Sequence, residues 1–490
     1  MTARVVWGAV TACVAIGAAL PASAAAIPTP DVDPFYQAPT GLANQPPGTV
    51  LRSREVTVTG LGVPIPVKSW QLLYRSNDTK GHAIAAVATV LVPLAPYAAG
   101  ERPLVSYQMA IDSLGPQCTP SYEMRNGNEK EMSAVGPLIE AGLAVVVPDF
   151  ESQNMAYGAG VLAARTTLDG IRAAERFAPA GFPGTKTPVG LWGYSGGGQG
   201  TAWAAEQQPG YAPELNVKGV AEGGVPPDLE QVARQIDGGP FFGVYFAASV
   251  GLSREYPEVN LDALLNDKGK ALKEKIGKEC AETLVTGYPY QRMSDYTTVG
   301  DPLVVPRVRA VINAVKLPKA TPTAPVYIYH SVVDELIPIA GPDALVGDYC
   351  LDGARILYQR DVAGEHVAYA FTGAPAALAY LLERFQGQPA PTNCGPARRR
   401  RGSPSSHHVG GARACSAGQA ITLRPRRRRG ERIRRIVATV AGRQVASRRG
   451  RDLRTIRITG LSPGQRTIRL RIRGSRGRRT LTLRRIVACR

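Results

Sequence analysis

Long apolar runs separated by clusters of turn-forming residues dominate the chain up to Cys394. They include AIAAVATVLVP from Ala83, RPLVSYQM from Arg102, GLAVVVPDF from Gly142, TPVGLWGY from Thr187, VKGVAEGG from Val217 and APVYIYH from Ala324. Several are nearly continuous rather than alternating, which predicts strands of a mostly parallel sheet covered on both faces. Segments of helical composition, such as GTAWAAEQQ from Gly200 and APAALAYLLERF from Ala374, alternate with them, so the body reads as an α/β fold. About a hundred residues separate VAEGG from APVYIYH, too many for a simple crossover. They predict a cap over about 226–315, and its stretch GGPFFGVYFAASVGL from Gly238 is apolar and aromatic enough to line an acyl pocket.

The pattern changes after Cys394. Residues 395–414 are rich in Gly, Pro, Ser and Arg without apolar periodicity and read as a flexible linker. Beyond it, TIRLRIR from Thr467 alternates with period two, as do RIRRIVATV, LRTIRIT and RTLTLRRIV, with GLSPGQ and GSRG as turns. This predicts a small Ig-like β-sandwich over 415–490 with outward-facing arginines. Charge divides at the same place. The whole chain carries +19, but from Gly395 onward there are 29 arginines, no lysine and only Glu431 and Asp452 as acids, a balance of +27 that leaves −8 on the body. Such a tail suits an anionic cell-surface polymer or lipid interface, or it is a solvated face and nothing more. It contains no aromatic residue for base stacking, so a specific nucleic-acid partner is not expected.

The first residues, MTARVVWGAVTACVAIGAALPASAAA, read as an export signal over 1–26, with Arg4 ahead of an apolar stretch and small residues at the cleavage site. An uncleaved anchor is the alternative, although the stretch is short for a membrane span. Residues 27–394 would then form a secreted or cell-surface catalytic domain. Six cysteines follow the signal, an even number consistent with disulfides, and none shows C-x-x-C spacing. Cys415 and Cys489 bracket the tail module and would staple it if paired.

Candidate chemistry centres on GYSGG. Gly193-Tyr194-Ser195-Gly196-Gly197 lies between a predicted strand and a predicted helix, the setting of a nucleophile elbow. Side chains at Gly193 and Gly197 would collide in so tight a turn. A serine hydroxyl needs a base to take its proton. Of five histidines, His407 and His408 fall in the linker, His82 precedes an early strand and His330 ends APVYIYH. His366 lies in a loop after the last predicted strand, in the serine–acid–histidine order of an α/β-hydrolase. Asp334, in SVVDELIP after APVYIYH, sits at the carboxyl end of a strand and is the candidate acid. Glu335 is its near competitor, with Asp301, Asp343 and Asp361 further off. The first oxyanion donor is the amide of Gly196, and the second is expected from the loop Met109 to Ser113.

GYSGGG followed by YAPELNVKGVAEGG, the acid in HSVVDELIP, and GEH leading into TGAPAALAYLLERF and PTNC together resemble the secretory lipase family typified by Candida antarctica lipase A. The resemblance runs from about Asp33 to Cys394 and implies an α/β-hydrolase sheet with a helical cap. It implies a triad of Ser195, Asp334 and His366 and an oxyanion hole of Asp112 and Gly196, although YQMAIDS is not a close copy of the family segment. A carboxylate beside an oxyanion requires its backbone N–H, or a protonated side chain, as donor. Pairing of Cys118 with Cys280 and of Cys350 with Cys394 is implied too; the Arg-rich module has no counterpart. The expected activity is hydrolysis of carboxylic esters, most of all acylglycerols, without metal or organic cofactor. A short-chain carboxylesterase or an acyltransferase is the alternative on the same triad. A surface adhesin with a decayed hydrolase body is the alternative from another class.

Overall fold

The computed structural model describes residues 27–395 apart from 61 and 363, and in the tail 421–423, 425, 431–440, 443–458, 464–475 and 477–487. The expected export signal, the linker beyond 395, His407, His408, and the Cys415–Cys489 pair lie outside the described residues. The chain divides into two compact units between Arg399 and Arg400.

In the first unit the strands are β1 (Val50–Glu55), a short hairpin of β2 (Thr59–Gly60) and β3 (Val63–Pro64), β4 (Val67–Asn77), β5 (Ala83–Pro93), β6 (Leu104–Gln108), β7 (Ala144–Pro148), β8 (Val189–Tyr194), β9 (Val217–Gly223), β10 (Val326–Ser331) and β11 (Ile356–Asp361). Nine of them make one sheet in the order β1-β4-β5-β7-β6-β8-β9-β10-β11. From β7 to β11 every neighbour is parallel, and β1, β4 and β5 extend the sheet in antiparallel pairing. The all-buried burial patterns of β6, β7, β8 and β10 match strands covered on both faces, with Ser106, Gln108, His330 and Ser331 as buried polar exceptions among apolar residues.

Ahead of the insert come α1 (Pro120–Asn126), α2 (Met132–Glu140), α3 (Gly160–Arg176) and α4 (Gly196–Tyr211). On one face of the sheet, Leu168 and Ile171 of α3 and Trp203 of α4 pack against Val189 and Leu191. On the other, Val135 and Leu138 of α2 join Leu381 of α12 (Ala374–Phe385) against Val105, Val145 and Val147. Burying apolar side chains on both faces holds the sheet between two helical layers.

Between β9 and β10 the chain makes α5 (Leu229–Ile236), α6 (Phe242–Glu255), α7 (Asp267–Ile276), α8 (Ala281–Thr286) and α9 (Pro306–Ala314). These helices have a core of their own, in which Phe242 and Phe246 both lie 5.6 Å from the Tyr296 ring. After β10 follow α10 (Ala340–Leu351) and, beyond β11, α11 (His366–Thr372). The disulfides Cys118–Cys280 and Cys350–Cys394 are present, each with Cα atoms 5.4 Å apart.

The described residues of the second unit form strands: β12 (Ile421–Leu423), β13 (Ile433–Val440), β14 (Arg443–Arg449), β15 (Ile456–Ile458), β16 (Gly464–Gly474) and β17 (Gly477–Val487). Strands β12 and β15 pair with each other, and the remaining four make a sheet in the order β14-β13-β16-β17. Ile436 with Ala438, Ile456 with Ile458, and Leu470 with Ile472 are buried at period-two spacing, and Ile433 and Leu453 join the same core.

Candidate active site

Four sequence-predicted residues emerge where parallel strands end. Ser195 follows β8, Asp112 follows β6, Asp334 follows β10, and His366 follows β11. Ser195 is the N-cap of α4 with φ 55° and ψ −122°, and its N–H donates to the Gly223 carbonyl at 3.0 Å. That backbone lies outside the regions ordinary residues favour, and the glycines around it permit it. A Cβ on Gly193 would stand 2.4 Å from the Gly197 carbonyl oxygen, and one on Gly197 would stand 1.9 Å from that of Gln108. Gly196 is required for a reason the sequence did not show: its Cβ would lie 1.9 Å from Asp112 Oδ1.

His366 Nε2 is 2.8 Å from Ser195 Oγ, and Nδ1 is 2.6 Å from Asp334 Oδ2. The ring is buried, and the Tyr194 hydroxyl donates to the His366 carbonyl at 2.8 Å. His366 is not in a loop, as its sequence context suggests, but is the first residue of α11. The Glu365 side chain caps that helix by accepting from the N–H groups of Val367 and Ala368. Asp334 Oδ1 accepts from the N–H groups of Leu336 and Ile337 at 3.0 and 2.7 Å. Burial alone would raise the Asp334 carboxyl, but the His366 hydrogen bond, the charge of both His366 and His330, and the Ile337 N–H hold it below the usual carboxylate range.

The competing candidates separate cleanly. Glu335 accepts from the His366 backbone N–H at 3.0 Å instead of holding the ring. His330 is buried behind Asp334, bonded through Nε2 to the Ile337 carbonyl at 2.9 Å. Burial depresses its pKa, against the raising effect of the Asp334 charge. His82 is exposed and paired with Asp78. Asp301 pairs with Arg234 and Asp343 with Arg360, both at the surface.

Asp112 has φ 42°, and its carboxyl is buried with Oδ1 lacking a hydrogen-bond partner. Burial raises this carboxyl to about 6, opposed by the charge of His366, the Tyr157 hydroxyl and the Gly196 N–H. The Asp112 N–H donates at 3.1 Å to Glu151 Oε1, so it is already engaged. Two residues earlier, the Ala110 N–H donates at 2.6 Å to Glu131, which also accepts from the Tyr107 hydroxyl. Neither Glu131 nor Glu151 is found by motif reading. The one available signal for Glu151 is its place just past the carboxyl end of β7.

Two cavities meet at Ser195. One runs under the helices of the insert past Tyr157, Leu229, Val232, Val244, Leu252 and Val311. The predicted stretch contributes Val244, Tyr245, Ala248, Ser249 and Leu252 to it, whereas Phe242 and Phe246 pack into the insert's core. The other opens beside His366 between an apolar side with Val367 and Phe371 and a polar side with Glu129, Lys130 and Glu282. Among the described residues no cluster of ligand-type side chains could hold a metal ion.

A mostly parallel sheet with helices on both faces, carrying a serine on a strand-to-helix elbow, defines an α/β-hydrolase. The Secretory lipase family model matches residues 127–393. Lipase A of Arthroderma benhamiae is 34% identical over 74% of this chain and 81% of its own length. A protein of Mycobacterium tuberculosis described as a probable inactive lipase is 38% identical over 74% of this chain and 83% of its own. The crystal structure of Candida antarctica lipase A in its closed state is 30% identical and superposes with a TM-score of 0.70 over 76% of this chain and 90% of that one. The chain belongs to the secretory lipase family.

Proposed function

We propose that the protein is an exported serine hydrolase of carboxylic esters that acts on acylglycerols through Ser195, His366 and Asp334. The hydrogen-bonded run from Asp334 through His366 to Ser195 Oγ, with links of 2.6 and 2.8 Å, carries the proposal. Ser195 Oγ attacks the ester carbonyl as His366 Nε2 takes its proton, and Asp334 holds the imidazole tautomer and the imidazolium that forms. The tetrahedral oxyanion is held by the Gly196 N–H and by Asp112. Because the Asp112 N–H is bonded to Glu151, the donor is the O–H of the neutral carboxyl. His366 returns its proton to the departing alcohol, and water then releases the acyl group by the same route in reverse. Residues 226–315 form the cap, and the apolar cavity beneath it supports long acyl chains over a short-chain esterase. The N-terminal segment directs export, and the Arg-rich module beyond the linker is an Ig-like β-sandwich.

One relative is described as inactive, so activity itself is the test. Ser195→Ala removes hydrolysis of a p-nitrophenyl ester and abolishes fluorophosphonate labelling without altering the fold. Turnover equal to wild type would refute the mechanism.

A further inference from the structure

The exposed face of the four-stranded tail sheet carries an ordered row of arginines. Arg435 on β13 stands directly opposite Arg449 of β14 and Arg473 of β16, and the β17 position opposite Arg473 is again an arginine, Arg478. Arg471, two residues from Arg473, points to the same side, opposite Val437. Residues directly opposite in antiparallel strands share a face with Cβ atoms about 4.5–5.5 Å apart, and like charges there are destabilising. Arg449, Arg471 and Arg473 are exposed, while Arg435 in the centre is partly buried with its Nε lacking a hydrogen-bond partner. The tail has two acids against 29 arginines, so its own carboxylates cannot neutralise the face. The row therefore presents more positive charge than the tail's two carboxylates can offset.

We propose that Arg435, Arg449, Arg471 and Arg473 form an electrostatic docking face for an anionic phospholipid surface. Three observations favour a lipid surface over a nucleic-acid strand. The array lies on a sheet face and extends in two dimensions, across three strands and along β16. No aromatic residue occurs in the tail for base stacking. The chain also carries a site read above as acting on lipid esters, and the choice of lipid rests on that reading. Docking of this kind neutralises headgroup charge without inserting apolar side chains, so it is reversible and weakens with salt.

The test is co-sedimentation of the full chain with vesicles of phosphatidylcholine alone or with about a third phosphatidylglycerol, at about 0.05 to 0.5 M salt. Binding is expected only to the anionic vesicles and declines steeply across the salt series. Combined Arg435→Gln, Arg449→Gln and Arg473→Gln weakens it roughly a hundredfold. The control changes Arg451, Arg454 and Arg457 to Gln, removing equal charge from exposed positions off the row, and retains most of the binding. Relief of cross-strand repulsion leaves the first variant at least as heat-stable as wild type, and the same three positions changed to Lys keep the binding. Equal losses in the two Gln variants, or binding to neutral vesicles, would overturn the proposal. Capture by duplex DNA or polyphosphate without capture by anionic vesicles would overturn the lipid assignment. Hydrolysis of a soluble ester in each variant reports the catalytic site separately, so loss of docking and loss of chemistry are distinguishable.

Discussion

Asp112 combines a left-handed backbone with a buried carboxyl beside the serine, two features that each cost free energy. For a residue with a Cβ the backbone alone costs about 1–2 kcal/mol. The Glu151 carboxyl offsets this by accepting from the Asp112 N–H. In the proposed mechanism that arrangement leaves the side chain, not the backbone N–H, as the donor to the reacting carbonyl. Asp112→Ala therefore lowers kcat by about 10²–10³ with little change in KM, whereas Asp112→Asn keeps an N–H donor and loses less. Steady-state kinetics normalised by active-site titration measures both. The pH dependence has a definite sign. The carboxyl is neutral, and able to donate, below its raised value of about 6, and the donor is lost as pH rises through that value. The wild type loses kcat on that alkaline limb; the Asn variant, with nothing to titrate there, does not.

Among the elements, the turn from β8 into α4 and the first turn of α11 set the geometry. The elbow is legible in the sequence because glycine is demanded by steric rules that hold locally. The helical start at His366 is not, because Glu365 caps a helix whose existence depends on packing against β10 and α12. Gly196→Ala tests the elbow: the added methyl displaces the Asp112 carboxyl, so kcat falls while circular dichroism is unchanged. Helix α6 tests the cavity. Ala248 lines it on a half-buried position, and Ala248→Phe fills the space with a ring. Hydrolysis of long-chain p-nitrophenyl esters then falls at least tenfold relative to acetate or butyrate esters in a chain-length series. Apolar content in GGPFFGVYFAASVGL predicts a pocket lining, but only the helix orientation sends Phe242 and Phe246 into the core instead.

For the whole molecule, buried acids give stability a pH dependence. Burial raises Asp112 to about 6, Glu129 and Asp149 to about 7 and Glu131 to about 8. Each binds its proton more tightly folded than unfolded, so its contribution is complete below the ordinary carboxylate range and is lost as pH rises through the folded value. Asp334, held below that range, acts in the opposite sense and loses its contribution only at strongly acid pH. The raised group is the more numerous, and the melting temperature by calorimetry falls between about pH 5 and about pH 8.

The sequence by itself determined the alternation of strands and helices, the division of charge at the tail, and the candidate serine and imidazole, and it narrowed the acid to Asp334 or its neighbour Glu335. Each of these follows from local rules: apolar periodicity, the sterics of a tight turn, and the small number of histidines. Only the tertiary structure decided that Glu335 bonds the His366 backbone while Asp334 holds its ring, that Gly196 makes room for Asp112, and that Glu151 occupies the Asp112 N–H. These contacts join residues from different strand ends, and their meeting is fixed by sheet order, which spacing along the chain does not encode.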